Sequence, residues 1–113
     1  MCIRDSTKTH INDDPAGYYD YALSYVLLFQ LHAHIAKNIL KEDPHDTNYF
    51  DRKDVGTFLL SILKPGASAD WRQLLREKTG SDLSAKAMVE YFAPLQKWLE
   101  VQNKGRKHTL PEI

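Results

Sequence analysis

The side chains best suited to chemistry are grouped at the start of the longest apolar run of the chain. They are Lys8, His10, Tyr18, Tyr21 and Tyr25. The three tyrosines are spaced i, i+3 and i+7, so a helix through them carries all three phenols on one face. The start of a helix has unpaired amides and the positive end of its dipole, which favour an anion there. The pattern therefore predicts a face that binds a carboxylate or the oxyanion of a reacting carbonyl.

A second interpretation is that these aromatic rings only pack at the start of the helix, and periodicity alone favours it. The other histidines add no metal site, because none is followed by a second histidine at i+4, the spacing of a zinc-binding helix. His32 and His34 are close but project to different sides of a helix, so we expect packed or surface histidines with satisfied hydrogen bonds. Trp71, Trp98 and the phenylalanines are predicted to pack in a core.

The elements that must position these residues are all helical, and no alternating β pattern is present. Asp14 and Pro15 are typical of a helix start, and Pro65-Gly66 and Gly80 are typical of helix ends. The sequence predicts an all-α fold with about four helices, at residues 15–41, 51–64, 69–80 and 85–105, with Ser68 and Ser84 as caps of the last two.

The first predicted helix is apolar on nearly every side between Ala22 and Ile35. A helix of this kind is surrounded by other helices, and three short companions are too few to surround it. We therefore expect the chain to be part of a larger helical protein.

Composition excludes several classes of function. Fifteen Lys and Arg balance fifteen Asp and Glu without a basic block, so no nucleic acid is expected as a partner. Polar residues interrupt the apolar run before the roughly eighteen residues of a membrane span, so no span is expected in this chain. The polar start, residues 1–6, resembles translated adaptor sequence rather than a signal peptide. We therefore take residues 7–113 as the natural part and leave Cys2 out of the functional argument.

Several motifs together resemble the C-terminal part of the angiotensin-converting-enzyme family of zinc peptidyl-dipeptidases. These are Lys8-x-His10, Tyr18-x-x-Tyr21, "SYVLLFQLH" and "YFAPLQKWLEVQNKGR". The resemblance implies an almost wholly helical, gluzincin-type metallopeptidase whose zinc ligands lie upstream of this region. It also implies a C-terminal fragment that is inactive alone, a missing N-terminal part as its partner, and a periplasmic or secreted location for the parent.

The resemblance also implies a role for each residue of the cluster. Lys8 and Tyr18 would hold the terminal carboxylate of a peptide, and Tyr25 would form a wall of the subsite for its last side chain. His10 would donate to a backbone carbonyl of the departing dipeptide, and Tyr21 would donate to the oxyanion.

Asp20 stands where chloride-activated members of the family carry an arginine, so chloride is not expected to bind there. Two alternatives stay open. One is a non-catalytic helical module that binds the C-terminus of a partner protein, and the other is a relative whose zinc site has decayed.

Overall fold

The computed structural model describes residues 17–106, and this part of the chain folds into helices without any strand. The order of elements matches the all-α prediction of about four helices. The four α-helices are α1 (Tyr19–His34), α2 (Lys53–Leu63), α3 (Trp71–Thr79) and α4 (Lys86–Gln102); a π-helix (Ile35–Leu40) continues α1, and a short 3-10 turn (Gly66–Ser68) follows α2.

The first helix begins later than the sequence predicted. Gly17 and Tyr18 form a turn, and the α-helical hydrogen bonding starts at Tyr19 rather than at Pro15. At the other end the prediction is confirmed, because the helical run stops at Leu40 and Lys41 adopts a left-handed conformation with φ 61°. The predicted single helix is therefore an α-helix followed by six residues of π-helix.

The π-helix places two core residues on the same side of the chain. In an α-helix, positions five apart such as Ile35 and Leu40 would point about 140° away from each other. Hydrogen bonding from i to i+5 brings such positions close together. Both side chains are buried and pack with Val55 of α2, and Phe58 and Leu59 cover the cluster. The wider helix thus supplies the centre of the small core.

Helices α3 and α4 begin and end close to the predicted positions, but the N-cap of α3 differs from the prediction. At α4 the N-cap position is Ala85, and the predicted Ser84 just before it accepts a hydrogen bond from the amide of Lys86 at 3.2 Å. Asp70, not Ser68, caps α3, because its carboxylate accepts hydrogen bonds from the amides of Arg72 (2.8 Å) and Gln73 (3.2 Å). Gly80 ends α3 as predicted, with φ 78° and its amide donating to the carbonyl of Arg76.

Helix α4 packs along α1 through aromatic rings. Phe29 of α1 lies 5.1 Å from the ring of Tyr91 and 5.2 Å from that of Phe92, measured between centroids. Tilted and edge-on pairs at this distance are favourable beyond the area that they bury. This contact fixes the position of α1, the helix that carries the tyrosines, relative to α4.

Much of the apolar surface in the described part of the chain is exposed. The predicted core packing is wrong for four of the large aromatic residues, because Trp71 is 42% exposed, Phe92 41%, Trp98 57% and Phe50 90%. It holds for Phe29 and Phe58, which are half-buried and packed. Trp71 and Trp98 lie on exposed faces of α3 and α4, and Phe50 lies in the connection before α2. No helix in residues 17–106 is long and apolar enough to cross a membrane.

Candidate functional site

The tyrosine face consists of Tyr18, Tyr21 and Tyr25. Tyr18 occupies the N-cap position of α1, and Tyr21 lies in the first turn with its ring centroid 5.6 Å from that of Tyr18. All three rings are more than half exposed, at 54%, 66% and 61%. The structure therefore brings two phenols side by side at the start of α1, with the third one turn further along.

The backbone at this helix start differs from the prediction of unpaired amides. The amide of Asp20 donates to the carbonyl of Gly17 (3.1 Å), and the amide of Tyr21 donates to the carbonyl of Tyr18 (3.2 Å). Both are i to i−3 bonds of a tight first turn. These two amides are therefore bonded to backbone carbonyls and do not bind an anion in this conformation.

Two of the predicted site residues, Lys8 and His10, lie outside the described residues. Within residues 17–106, no group of three or more His, Cys, Asp or Glu side chains is placed to hold a metal ion. The described segment therefore offers phenol hydroxyls and ring surfaces, but no set of metal ligands.

The prediction that His32 and His34 are hydrogen bonded is confirmed. The two nitrogens of His32 contact the hydroxyl of Tyr49 and the carbonyl of Pro44, the latter at 2.7 Å. His34 turns to another side, where its Nδ1 lies 3.0 Å from Nδ2 of Asn38 and its ring stacks on Phe58. Partial burial lowers the pKa of His34, which favours a neutral, packed imidazole.

Sequence reasoning missed a buried polar residue, Gln30, that joins α1 to the connection between α3 and α4. Its Nε2 donates to Oγ of Ser81 and to the carbonyl of Asp82, both at 2.9 Å, and its Oε1 accepts from the amide of Ser84 at 3.0 Å. Gln30 is 7% exposed, so these bonds are largely shielded from water. A single glutamine inside an apolar run was the signal available in the sequence.

A second group that the sequence did not indicate surrounds His45, in the connection between the π-helix and α2. Its ring stacks on that of Tyr91 in α4, with centroids 4.4 Å apart and planes 19° apart. The spacing of Asp43 and His45 is visible in the sequence, but their contact with α4 depends on how the chain folds back.

Comparison with known proteins gives one consistent family. The angiotensin-converting enzyme family of peptidases matches residues 4–110. Angiotensin-converting enzyme of Mus musculus is 38% identical over 105 residues, covering 91% of this chain and 8% of the mouse protein. That of Mesocricetus auratus is 37% identical over 107 residues, covering 91% of this chain and 8% of its own length.

A relative from a third organism matches as well. Angiotensin-converting enzyme of Theromyzon tessulatum is 33% identical over 97 residues, covering 83% of this chain and 15% of its own length. No solved structure matches the chain. The chain thus spans only a small part of the relatives that it matches, at 8% of the mouse protein. The family match over most of its length, together with the helical fold, shows that this chain belongs to the angiotensin-converting enzyme family.

Proposed function

We propose that this chain is the C-terminal part of a zinc peptidyl-dipeptidase and that its tyrosine face binds the C-terminal end of a peptide substrate. The observation that supports this most directly is the pair of exposed phenols, Tyr18 and Tyr21, with ring centroids 5.6 Å apart at the start of α1. Such an enzyme needs one group for the terminal carboxylate and another for the scissile carbonyl. Two neighbouring phenols on one face can supply both.

In this proposal Tyr18 and Lys8 bind the terminal carboxylate. The Tyr18 hydroxyl donates one hydrogen bond, and the Lys8 ammonium contributes a charge-assisted one. Tyr25, one turn beyond Tyr21, forms a wall for the last side chain. His10 donates to the backbone carbonyl of the departing dipeptide and fixes its orientation.

Tyr21 acts on the reacting carbonyl. Its hydroxyl donates to the carbonyl oxygen, and the interaction strengthens as negative charge develops there in the transition state. The amides of Asp20 and Tyr21 already bond to the carbonyls of Gly17 and Tyr18, so we assign the oxyanion to the Tyr21 hydroxyl and not to these amides. The angular position of Tyr21 on α1 is fixed by packing farther along the helix.

The zinc that activates the attacking water in such enzymes is not held by the described residues of this segment. Its ligands belong to the missing N-terminal part of the protein. Asp20 lies in the first turn of α1, where an acidic side chain disfavours chloride. We therefore expect the activity of the longer protein to be insensitive to chloride at this position. Strong activation of the wild-type protein by chloride, lost in Asp20→Arg or Asp20→Ala, would contradict this.

The proposed substrate is a peptide with a free C-terminus, and the proposed location of the parent is outside the cytoplasm. The experiment compares two versions of one peptide, with a C-terminal carboxylate and with a C-terminal amide, as substrates of the longer protein that carries this segment. We expect dipeptides from the free acid and about tenfold to hundredfold slower cleavage of the amide, because a hydrogen bond to a charged group is lost. Equal cleavage of both, or release of single residues, would contradict the proposal.

A further inference from the structure

The connection between the π-helix and α2, residues 41–52, is attached to α4 by His45. The Nε2 atom of His45 lies 2.8 Å from the backbone carbonyl oxygen of Tyr91, and its Nδ1 lies 2.9 Å from Oδ1 of Asp43. The ring also stacks on that of Tyr91. Two hydrogen bonds and one ring contact therefore converge on this side chain.

Both partners of the His45 ring are acceptors only. A carbonyl oxygen and an ionised carboxylate have no proton to donate, so each ring nitrogen must carry a hydrogen to form its bond. A neutral imidazole carries one N–H and would leave one nitrogen lone pair facing an oxygen lone pair. The geometry therefore requires the doubly protonated imidazolium.

We propose that His45 is a pH-dependent latch: as the imidazolium it holds the turn at residues 43–46 against α4, and on losing its proton it releases this turn from α4. This inference does not depend on the peptidase activity proposed above. It concerns the attachment of one connecting segment and draws only on described residues.

The charged groups around the latch are nearly balanced. Asp43 comes from the same segment as His45, Lys37 from the π-helix and Glu90 from α4, and all three line one cleft with His45. Lys37 pairs with Glu90 at 3.2 Å, and Lys86 lies 3.8 Å from the other oxygen of that carboxylate. Asp43 is therefore the carboxylate that remains to pair with the imidazolium.

The direction of the pKa shift gives the pH window. The pKa of His45 is raised above its ordinary value of 6.5, first by the hydrogen bond to the Tyr91 carbonyl and then by that to Asp43. A raised pKa in the folded state stabilises the attachment fully below pH 6.5, and this stabilisation is lost as the pH rises through the raised value. The latch is therefore closed at low pH and opens as the pH rises through the pKa of His45.

His32 also contacts this segment and serves as a comparison for His45. Its Nε2 donates to the carbonyl of Pro44, and its Nδ1 faces the hydroxyl of Tyr49. A hydroxyl can donate to a neutral ring or accept from a charged one, so His32 keeps both bonds in either state. Of the two described histidines that contact this segment, His45 is therefore the one whose pair of hydrogen bonds depends on the charge of its ring.

With the latch closed, Asp43, Pro44 and His45 form one side of a cleft of about 200 Å³ beside α1 and α4, so opening of the latch would widen this cleft. Its apolar floor includes Phe29, Ala33 and Tyr91, and its rim carries the charged groups named above. The amides of His45 and Asp46 donate to Oδ1 and to the carbonyl of Asp43 at 2.7 and 3.0 Å, within the same turn. We expect them to lose protection because the turn opens more readily once the ring no longer attaches it to α4. Hydrogen exchange at these amides reports the state of the latch.

The test measures hydrogen exchange by mass spectrometry in the longer protein that carries this segment. Protection of peptides within residues 42–50 is compared at about pH 6 and about pH 8.5, after correction for the intrinsic rate, with α2 as reference. We expect wild-type protection to fall by about threefold or more over this range. In His45→Gln, which does not titrate, protection should be equal at both pH values.

Asp43→Asn is the second variant, because it removes the charge and keeps the shape. It should move the loss of protection to lower pH, since the imidazolium has lost its carboxylate. Wild-type protection that does not change with pH would overturn the proposal. The same fall in His45→Gln as in the wild type would also overturn it, because the pH dependence would then come from another group.

Discussion

At the scale of single residues, the proposed function gives the tyrosine face two different tasks in adjacent side chains. A carboxylate carries its charge before and after the reaction, whereas a carbonyl oxygen becomes charged only in the transition state. Tyr18 and Tyr21 have the same hydroxyl group, and their rings lie 5.6 Å apart. Their contributions should therefore be separable by kinetics.

The first prediction is that Tyr21→Phe in the longer protein lowers kcat by about a hundredfold to a thousandfold, as loss of one oxyanion donor typically does. The substitution removes the hydroxyl and keeps the ring that contacts Tyr18. Steady-state kinetics on a peptide with a free C-terminus measures the effect. A kcat within about twofold of wild type would assign this ring to packing only.

Tyr18→Phe and Lys8→Met are the matched controls for Tyr21→Phe. Each removes one donor to the terminal carboxylate, so each should raise KM more than it lowers kcat. Some loss of kcat is expected where the peptide is no longer held at the correct distance from the reacting centre. If Tyr18→Phe affected only kcat, the roles of the two tyrosines would have to be exchanged.

At the scale of elements, the position of α1 is set by a polar contact in its second half. Gln30 uses both hydrogens of its amide and its carbonyl oxygen to bond the connection between α3 and α4. Because Gln30 is buried, water replaces these bonds poorly when they are lost. This contact and the Phe29 ring cluster fix where the tyrosine face points.

We predict that Gln30→Met destabilises the longer protein by about 1–3 kcal/mol, since it leaves the amide of Ser84 without its acceptor. Hydrogen exchange of α4, measured at increasing concentrations of denaturant, gives the change in the free energy of unfolding. Gln96→Met is the matched control, because Gln96 is exposed and bonds only Glu100 of its own helix among the described contacts. If Gln30→Met lost no more stability than Gln96→Met, the Gln30 contact would add little to the stability of the fold.

At the scale of the whole molecule, the segment exposes far more surface than a compact domain. Many large apolar side chains of residues 17–106 are more than half exposed, among them Leu28, Leu60, Leu63 and Val101. Residues 17–106 contain only five buried hydrophobic side chains, which is a small core for four helices.

This surface predicts how the 113-residue chain behaves alone. We expect it to be loosely packed or to aggregate, with strong binding of a hydrophobic dye and a broad thermal transition, because large apolar side chains stay in water. Calorimetry and dye fluorescence measure this. A soluble monomer with a sharp, cooperative transition would instead favour an independent binding module.

A further prediction concerns the activity of the isolated chain. It should neither bind zinc tightly nor release dipeptides, because the histidines lack the spacing of zinc ligands and the described residues assemble no metal site. Isothermal titration with zinc and a peptide cleavage assay provide the measurements. Binding of one zinc with submicromolar affinity, together with dipeptide release, would overturn the fragment interpretation.

The sequence by itself determined the helical class, the end of the first helical run near Lys41 and the Gly80 cap of α3. It also placed the three tyrosines on one face, because local spacing sets which side chains share a side of a helix. Local motifs such as Tyr18-x-x-Tyr21 likewise indicated the family. The roles of Lys8 and His10 stay predictions, since these residues lie outside the described part.

Only the tertiary structure decided which distant residues meet. The bonds from Gln30 to residues 81–84 and from His45 to Tyr91 join positions 46 or more residues apart. The exposure of Trp71 and Trp98 was likewise set by which helices lie beside them, and not by their hydrophobicity. Periodicity describes one element at a time, whereas burial and long-range hydrogen bonds depend on how the elements pack.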